Sequence, residues 1–226
     1  MKEKITALRR LPLRRQMEQV AKALEKNNMT PYIVESRDEV VPLVRSLLEE
    51  GCTVACGGSM TLEECGVQEL LRSGAYRYLD RAAVDPNVPD AMRTLFVESL
   101  GADAYLCSTN AVTLRGELYN VDGNANRIAA LCYGPRSVIM VVGCNKIVRD
   151  IAAAQTRVKR EAAPANAIRL GCKTYCASFG VCKGVDGCVT DGCESDTRIC
   201  CSYLVQARQR IKGRIKVILV GEELGL

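Results

Sequence analysis

The stretch Cys52-Thr53-Val54-Ala55-Cys56-Gly57-Gly58-Ser59-Met60-Thr61-Leu62-Glu63-Glu64 decides the fold class. Its first five residues are short and almost wholly apolar, as a strand buried on both faces requires. Two glycines follow, and then Thr61 with Glu64 three residues on, a spacing that predicts a capping box at the start of a helix. Strand, glycine turn and helix form the unit from which parallel sheets covered by helices are built.

Outward from this stretch the alternation recurs. Leu13, Met17, Val20, Ala21 and Leu24 stand at helical spacing and predict a helix after Pro12 that stops at Asn27-Asn28. Residues 31–35 read as a short strand. Ser36 and Glu39 form another capping box ahead of Val40, Val44, Leu47 and Leu48, with Pro42 expected to kink that helix and Gly51 to end it. Residues 90–100 read as a helix leading to a strand over 104–107. The apolar run SVIMVV (137–142) is a buried strand, followed by a long helix to about Ala162, and IKVILV (215–220) is the last strand. Residues 117–121 and 128–133, joined by Asp122-Gly123-Asn124, read as a hairpin from their turn chemistry. The whole chain, 1–226, is expected to form one α/β domain of three layers, α/β/α, around a mostly parallel sheet. A basic helix over 1–28 and a cysteine-rich insertion over 171–203 complete it.

Composition narrows the function. The 226 residues include no Trp, two Phe and no His. Aromatics total 4%, which disfavours broad base-stacking platforms for single-stranded nucleic acid, and the absence of His excludes His-based triads and His-ligated zinc. The net charge of +5 is matched within the first 22 residues, where Lys2, Lys4, Arg9, Arg10, Arg14, Arg15 and Lys22 stand against Glu3 and Glu18. One helix is a small footprint, so a solvated face is favoured over a nucleic-acid or membrane surface. No secretory core follows Met1, and no apolar run approaches the ~18 residues of a membrane span. The expectation is a cytoplasmic protein with neither nucleic acid nor membrane as partner.

In open parallel sheets, ligands sit outside the carboxyl ends of the strands. Those ends read Gly57-Gly58-Ser59, Ser108-Thr109-Asn110, Gly143-Cys144-Asn145-Lys146 and Gly221-Glu222-Glu223, all small, polar or charged. Gly57 and Gly58 permit close backbone approach, although the pair also serves as a simple tight turn. Free N–H groups near Thr61 favour a carboxylate or phosphate, and Lys146 adds a countercharge. Arg127, beside an apolar segment, reads equally as a carboxylate clamp and as a structural ion pair. Glu117, Lys146 and Glu222 are candidate acid–base groups. The loop set is therefore expected to bind a small anionic metabolite.

The thirteen cysteines fall into two populations. Cys52, Cys56, Cys65, Cys107, Cys132 and Cys144 are scattered in apolar segments, where a thiol packs as a small hydrophobe. Cys172, Cys176, Cys182, Cys188, Cys193, Cys200 and Cys201 crowd one stretch of 30 residues, which points to ligation or redox chemistry.

Six strings, GGSMTLEECGVQELLRSG (57–74), LDRAAV (79–84), STNAVTLRGELYNVDGNANRIAAL (108–131), YGPRSVIMVVGCNKIV (133–148), AAPANAIRL (162–170) and RIKVILVGEELGL (214–226), together resemble the lactate-utilisation (LUD) domain proteins, in particular the short stand-alone bacterial form. The resemblance implies a fold like that of ribose-5-phosphate isomerase and the CoA transferases. It also implies a link to oxidation of lactate to pyruvate by multi-protein iron–sulfur systems, with other lactate-oxidation subunits as partners. The short family form is similar to C-x5-C-x2-C-x6-C with Arg-Ile-Cys at its end. Cys176 and Cys182 carry the x5 spacing, Cys193 and Cys200 the x6 spacing, and Arg198-Ile199-Cys200 matches. Ten residues with Cys188 among them separate Cys182 from Cys193, which marks Cys193 as the favoured third ligand. Four thiolates without histidine suit an iron–sulfur cluster, the favoured cofactor, or an all-thiolate zinc site. These four cysteines are expected to converge within a loop-rich excursion. The function expected is a redox component of small-carboxylate oxidation. The alternatives are a CoA-transferase-like enzyme or metabolite-binding protein with structural cysteines, and an assembly subunit; a homo-oligomer is compatible with each.

Overall fold

The computed structural model describes residues 2–226, with side chains from Leu11 onward. The charges of Lys2, Lys4, Arg9 and Arg10, on which the basic N-terminal face rests, lie outside the described residues. In chain order the elements are α1 (Lys2–Lys26), β1 (Thr30–Val34), α2 (Val40–Leu47), β2 (Thr53–Cys56), α3 (Met60–Glu64), α4 (Val67–Leu71), β3 (Arg77–Leu79) and α5 (Ala91–Ser99). Then follow β4 (Ala104–Cys107), β5 (Ala111–Thr113), β6 (Leu118–Asp122), α6 (Asn126–Cys132), β7 (Ser137–Gly143), β8 (Ile147–Val148), α7 (Ile151–Arg157), α8 (Ala163–Arg169), α9 (Tyr175–Phe179), β9 (Ser202–Gln206) and β10 (Ile215–Val220).

Six strands form one parallel sheet in the order β1-β10-β7-β4-β2-β3. Strand side chains alternate between faces, and here both faces are apolar. Val138, Met140 and Val142 of β7 join Val217 and Leu219 of β10 in a core with Met17, Val20 and Leu24 of α1. Ile139 and Val141 join Ile218 and Val220 in the opposite core, with Val40 and Val44 of α2 and Leu70 and Leu71 of α4. Burial on both sides explains why these strands read as unbroken apolar runs.

A second sheet, β8-β5-β6-β9, packs beyond the α1 face and is closed by α7. It corrects the expected hairpin. β6 ends at Asp122, and 126–132 form α6, because the Asp122 carboxylate accepts the Ile128 N–H at 2.8 Å and starts a helix through Ala129, Ala130 and Leu131. The antiparallel partner of β6 is β9, the tail of the cysteine-rich segment.

Three helix boundaries also differ from the expected ones. Pro12 lies inside α1. The Ser59 hydroxyl, not Thr61, caps α3 by accepting the Leu62 N–H at 3.3 Å, which frees Thr61 for other contacts. The helix expected up to Ala162 starts at Ile151 under an Asp150 cap and runs on to Arg169 through a π turn over Val158–Ala162. Among the described residues no helix is long and apolar enough to cross a membrane.

Candidate functional site

A cavity of about 130 Å³ opens where β2, β4 and β7 end. Gly58, Ser59 and Thr61 follow β2, Ser108, Thr109 and Asn110 follow β4, and Lys146 follows β7. The rest of the wall includes Asp122 and Arg127, the π turn, Asn166 and Arg169 of α8, Ile199 and Cys200, and Leu226. A π turn within a helix often marks a functional site. Here it places Val158 and Ala162 on the cavity side.

Lys146 is the least ordinary member. It is 3% exposed, and among the described residues it has no carboxylate within ion-pair distance. Its amine donates to Thr61 Oγ1 at 2.8 Å and Ser108 Oγ at 3.0 Å. Burial lowers its pKa to about 7, with the Arg157 and Arg127 cations adding to the effect. Arg157, itself buried, donates to the carbonyls of Asn145 at 3.0 Å and Asn110 at 2.7 Å and so ties two of the loops together.

Arg127 lines the cavity, yet protein acceptors take its donors. Nε and Nη2 reach Asp122 Oδ1 at 3.0 and 2.7 Å, Nη1 reaches Ser108 O and Asn120 Oδ1, and Nη2 also reaches Asn110 Oδ1 and Val121 O. A guanidinium has five N–H groups. With every nitrogen engaged, Arg127 holds the loops in place, and the structural ion pair prevails over the carboxylate clamp.

Of the residues singled out in the sequence, Gly58, Ser59, Thr61, Asn110, Arg127 and Lys146 meet around one cavity. Gly57 stays outside the lining, its N–H bonded to Leu106 O at 2.9 Å. Asn145 supports from behind, its Oδ1 accepting the Leu224 N–H at 3.1 Å. Glu117 is bonded to the Thr113 hydroxyl, and Glu222 is paired with Arg37 at 2.7 Å, so neither lines the cavity. The helix start near Thr61 has little dipole to offer an anion. α3 has five residues, too few aligned peptides for a useful dipole. Ser108 belongs to the strand-end loop expected to take part, Asp122 was read only as a turn residue, and Asn166 and Arg169 were not singled out. Asn166 and Arg169 enter only because the π turn and α8 fold back over the strand ends, for which no local signal exists.

The two glycines nearest the cavity differ in what they tolerate. A Cβ at Gly58 would come within 2.7 Å of Arg81 Nη1, the mobile end of a long side chain. At Gly225, with φ +59°, it would strike Thr61 Oγ1 and approach Thr61 N to 3.0 Å. Gly225→Ala is therefore expected to destabilise the chain by about 1 to 3 kcal/mol and Gly58→Ala by less than about 1 kcal/mol, as read from urea denaturation midpoints.

The cysteine-rich segment is anchored by two cations. Lys159 of the π turn donates to the carbonyls of Gly184 at 2.6 Å and Cys188 at 2.5 Å, pinning the ten residues between Cys182 and Cys193. Arg198 donates to the carbonyls of Cys200 at 2.9 Å and Cys193 at 3.1 Å. Cys176 and Cys182 are buried, and Cys193 and Cys200 are half-buried. Burial raises the Cys176 thiol above its ordinary range, a Thr174 hydrogen bond opposes this, and charge on Cys182, Cys193 and Cys200 raises it further. Among the described residues, no group of three or more Cys, Asp or Glu stands at metal-holding geometry, and all thirteen cysteines are unpaired. Cys200 also lines the cavity.

Comparison with known proteins gives three findings. The LUD domain matches residues 17–220. The chain is similar to the crystal structure of a DUF162 family protein from Deinococcus radiodurans, with a TM-score of 0.48 and 17% identity, covering 93% of this chain and 98% of that one. No curated protein matches it significantly.

Proposed function

The chain belongs to the LUD domain family, the family of lactate-utilisation proteins, and from that premise we propose that it is a redox component of small-carboxylate oxidation. In this reading its strand-end cavity holds the carboxylate and its neighbouring thiols hold a metal group. One observation carries the proposal: Cys200 borders the same cavity as Lys146. A ligand there would lie next to the thiol group that handles its electrons.

The donor set fits an iron–sulfur group. Cys176, Cys182, Cys193 and Cys200 would hold it, no histidine competes, and Lys159 and Arg198 anchor the segment that carries them. Soft thiolates select iron–sulfur clusters or zinc, and a bound cluster would supply electron transfer. The protein's own part is to bind and orient the carboxylate. Lys146, in its ammonium form, supplies the countercharge, while Thr61 and Ser108 fix its position. Other lactate-oxidation subunits would accept the electrons.

The CoA-transferase-like alternative is less well supported. A CoA-transferase route that passes through a protein carboxylate needs that carboxylate free in the cavity. Among the described residues the one carboxylate side chain lining it, Asp122, is held by Arg127.

Anaerobic reconstitution with ferrous iron and sulfide tests the proposal. The wild type is expected to retain iron and acid-labile sulfide with a broad visible absorbance, and a Cys176→Ser/Cys200→Ser variant is expected to retain neither. Retention of zinc alone, or an unchanged iron content in the variant, would exclude the redox reading. Calorimetry with lactate checks the cavity separately. Affinity is expected to fall as pH rises through about 7, where Lys146 loses its proton.

A further inference from the structure

We infer that Lys146 is a carbonyl-capturing amine, which condenses reversibly with the keto group of a small 2-oxo acid held in the cavity. The inference rests on the carboxylate-site reading above and adds a covalent step to it.

The setting of Nζ carries the argument. The amine is buried at the cavity wall and donates to Thr61 Oγ1 and Ser108 Oγ. The protons of those hydroxyls can turn away from it, toward the carbonyls of Leu224 and Thr109, 3.4 and 3.3 Å distant. A neutral amine has two N–H groups and one lone pair. With both N–H groups taken by Thr61 and Ser108, the lone pair is the valence left over, on a side chain that lines the cavity. An ammonium would carry a third proton into this setting, with no carboxylate within ion-pair distance among the described residues. Burial and the cations of Arg157 and Arg127 favour the neutral form, while Glu64 and Cys107 oppose them more weakly. Desolvation beside other cations is a recognised way of making a lysine nucleophilic.

The step balances without a further reactant. Nζ bonds to the keto carbon as the C–O π bond opens, giving a carbinolamine. The remaining C–O bond then breaks and the oxygen leaves as water, both of whose protons come from the amine. Protonation of the imine from solvent then places a cation beside the ligand's carboxylate, which the neutral amine does not.

Reductive trapping tests this on the full chain, with pyruvate as the 2-oxo acid and cyanoborohydride as the reductant. One pyruvate-derived adduct per chain is expected, mapped to Lys146 by peptide mass spectrometry. Lactate, which has no carbonyl, is expected to give none, and excess lactate is expected to protect Lys146 in the wild type. Lys146→Arg is expected to abolish the adduct. Failure to trap, or labelling spread over other lysines and unchanged by lactate, would overturn the inference. Calorimetry separates the two readings. Lactate binding without pyruvate trapping removes the imine and leaves the carboxylate site standing, whereas absence of both removes both.

Discussion

Lys146→Met is expected to stabilise the folded chain by about 1 to 3 kcal/mol at pH 7 while abolishing lactate binding. Replacing a buried charged group by an apolar one of similar volume is often stabilising. Lys146 bears the full desolvation cost with two hydroxyls and no ion pair to offset it. Its pKa is lowered from 10.5 to about 7 on folding, so between these values the unfolded chain binds the extra proton. Stability therefore rises with pH across that window, by up to about 1.4 kcal/mol per unit from this group, and the penalty is fully present below it. The variant lacks that contribution. Urea midpoints at pH 7 and 10, compared between wild type and variant, read the difference directly. A variant that loses stability at pH 7 would make Lys146 a structural residue. A gain in stability with a loss of binding is the signature of a group kept for function.

The opposite sign is expected at Arg127. Arg127→Ala should cost about 3 to 5 kcal/mol, because it strands the Asp122 carboxylate in a largely buried position. The two side chains are 13% and 11% exposed. The loss also releases Ser108 and Asn110, which Arg127 holds by hydrogen bonds, so the cavity should lose its shape along with its stability. Arg127→Lys restores the charge but not the planar fork, so most of the loss should remain. Pairing Arg127→Ala with Asp122→Asn should recover part of it by removing the stranded charge. Denaturation midpoints of the three variants check the order: double variant above Arg127→Ala, both below wild type.

These two residues also mark how far local sequence reaches. Lys146 and Arg127 both stand out in the sequence as cations at the ends of apolar runs. Their opposite roles depend on what surrounds them: two hydroxyls for one, five acceptor atoms from β6 and the loop after β4 for the other. Those acceptors are contributed by residues up to 85 positions away in the chain, as with Thr61 and Lys146.

The parallel sheet was legible because burial on both faces writes itself into consecutive residues. Val138 to Val142 and Ile215 to Val220 must be apolar at every step, and glycines must follow where the chain turns at the strand ends. That is local information, and it places the candidate cavity at the ends of β2, β4 and β7. The second sheet was not legible. Residues 128–133 carry no alternation that separates strand from helix. Only the Asp122 contact to Ile128 N and the arrival of β9 from the far end of the cysteine-rich segment decide between them. The cavity's far wall likewise required the π turn and α8 to fold over the strand ends, bringing Asn166 and Arg169 to the loops of β2 and β4, and required β9 to pair with β6, bringing Cys200 there. Periodicity records which face of an element is buried, whereas pairing across the chain is set by a balance of many distant contacts. The sequence by itself therefore determined the central sheet and the edge at which a ligand would sit, and the tertiary structure alone decided which donors remain for one and that Cys200 borders it.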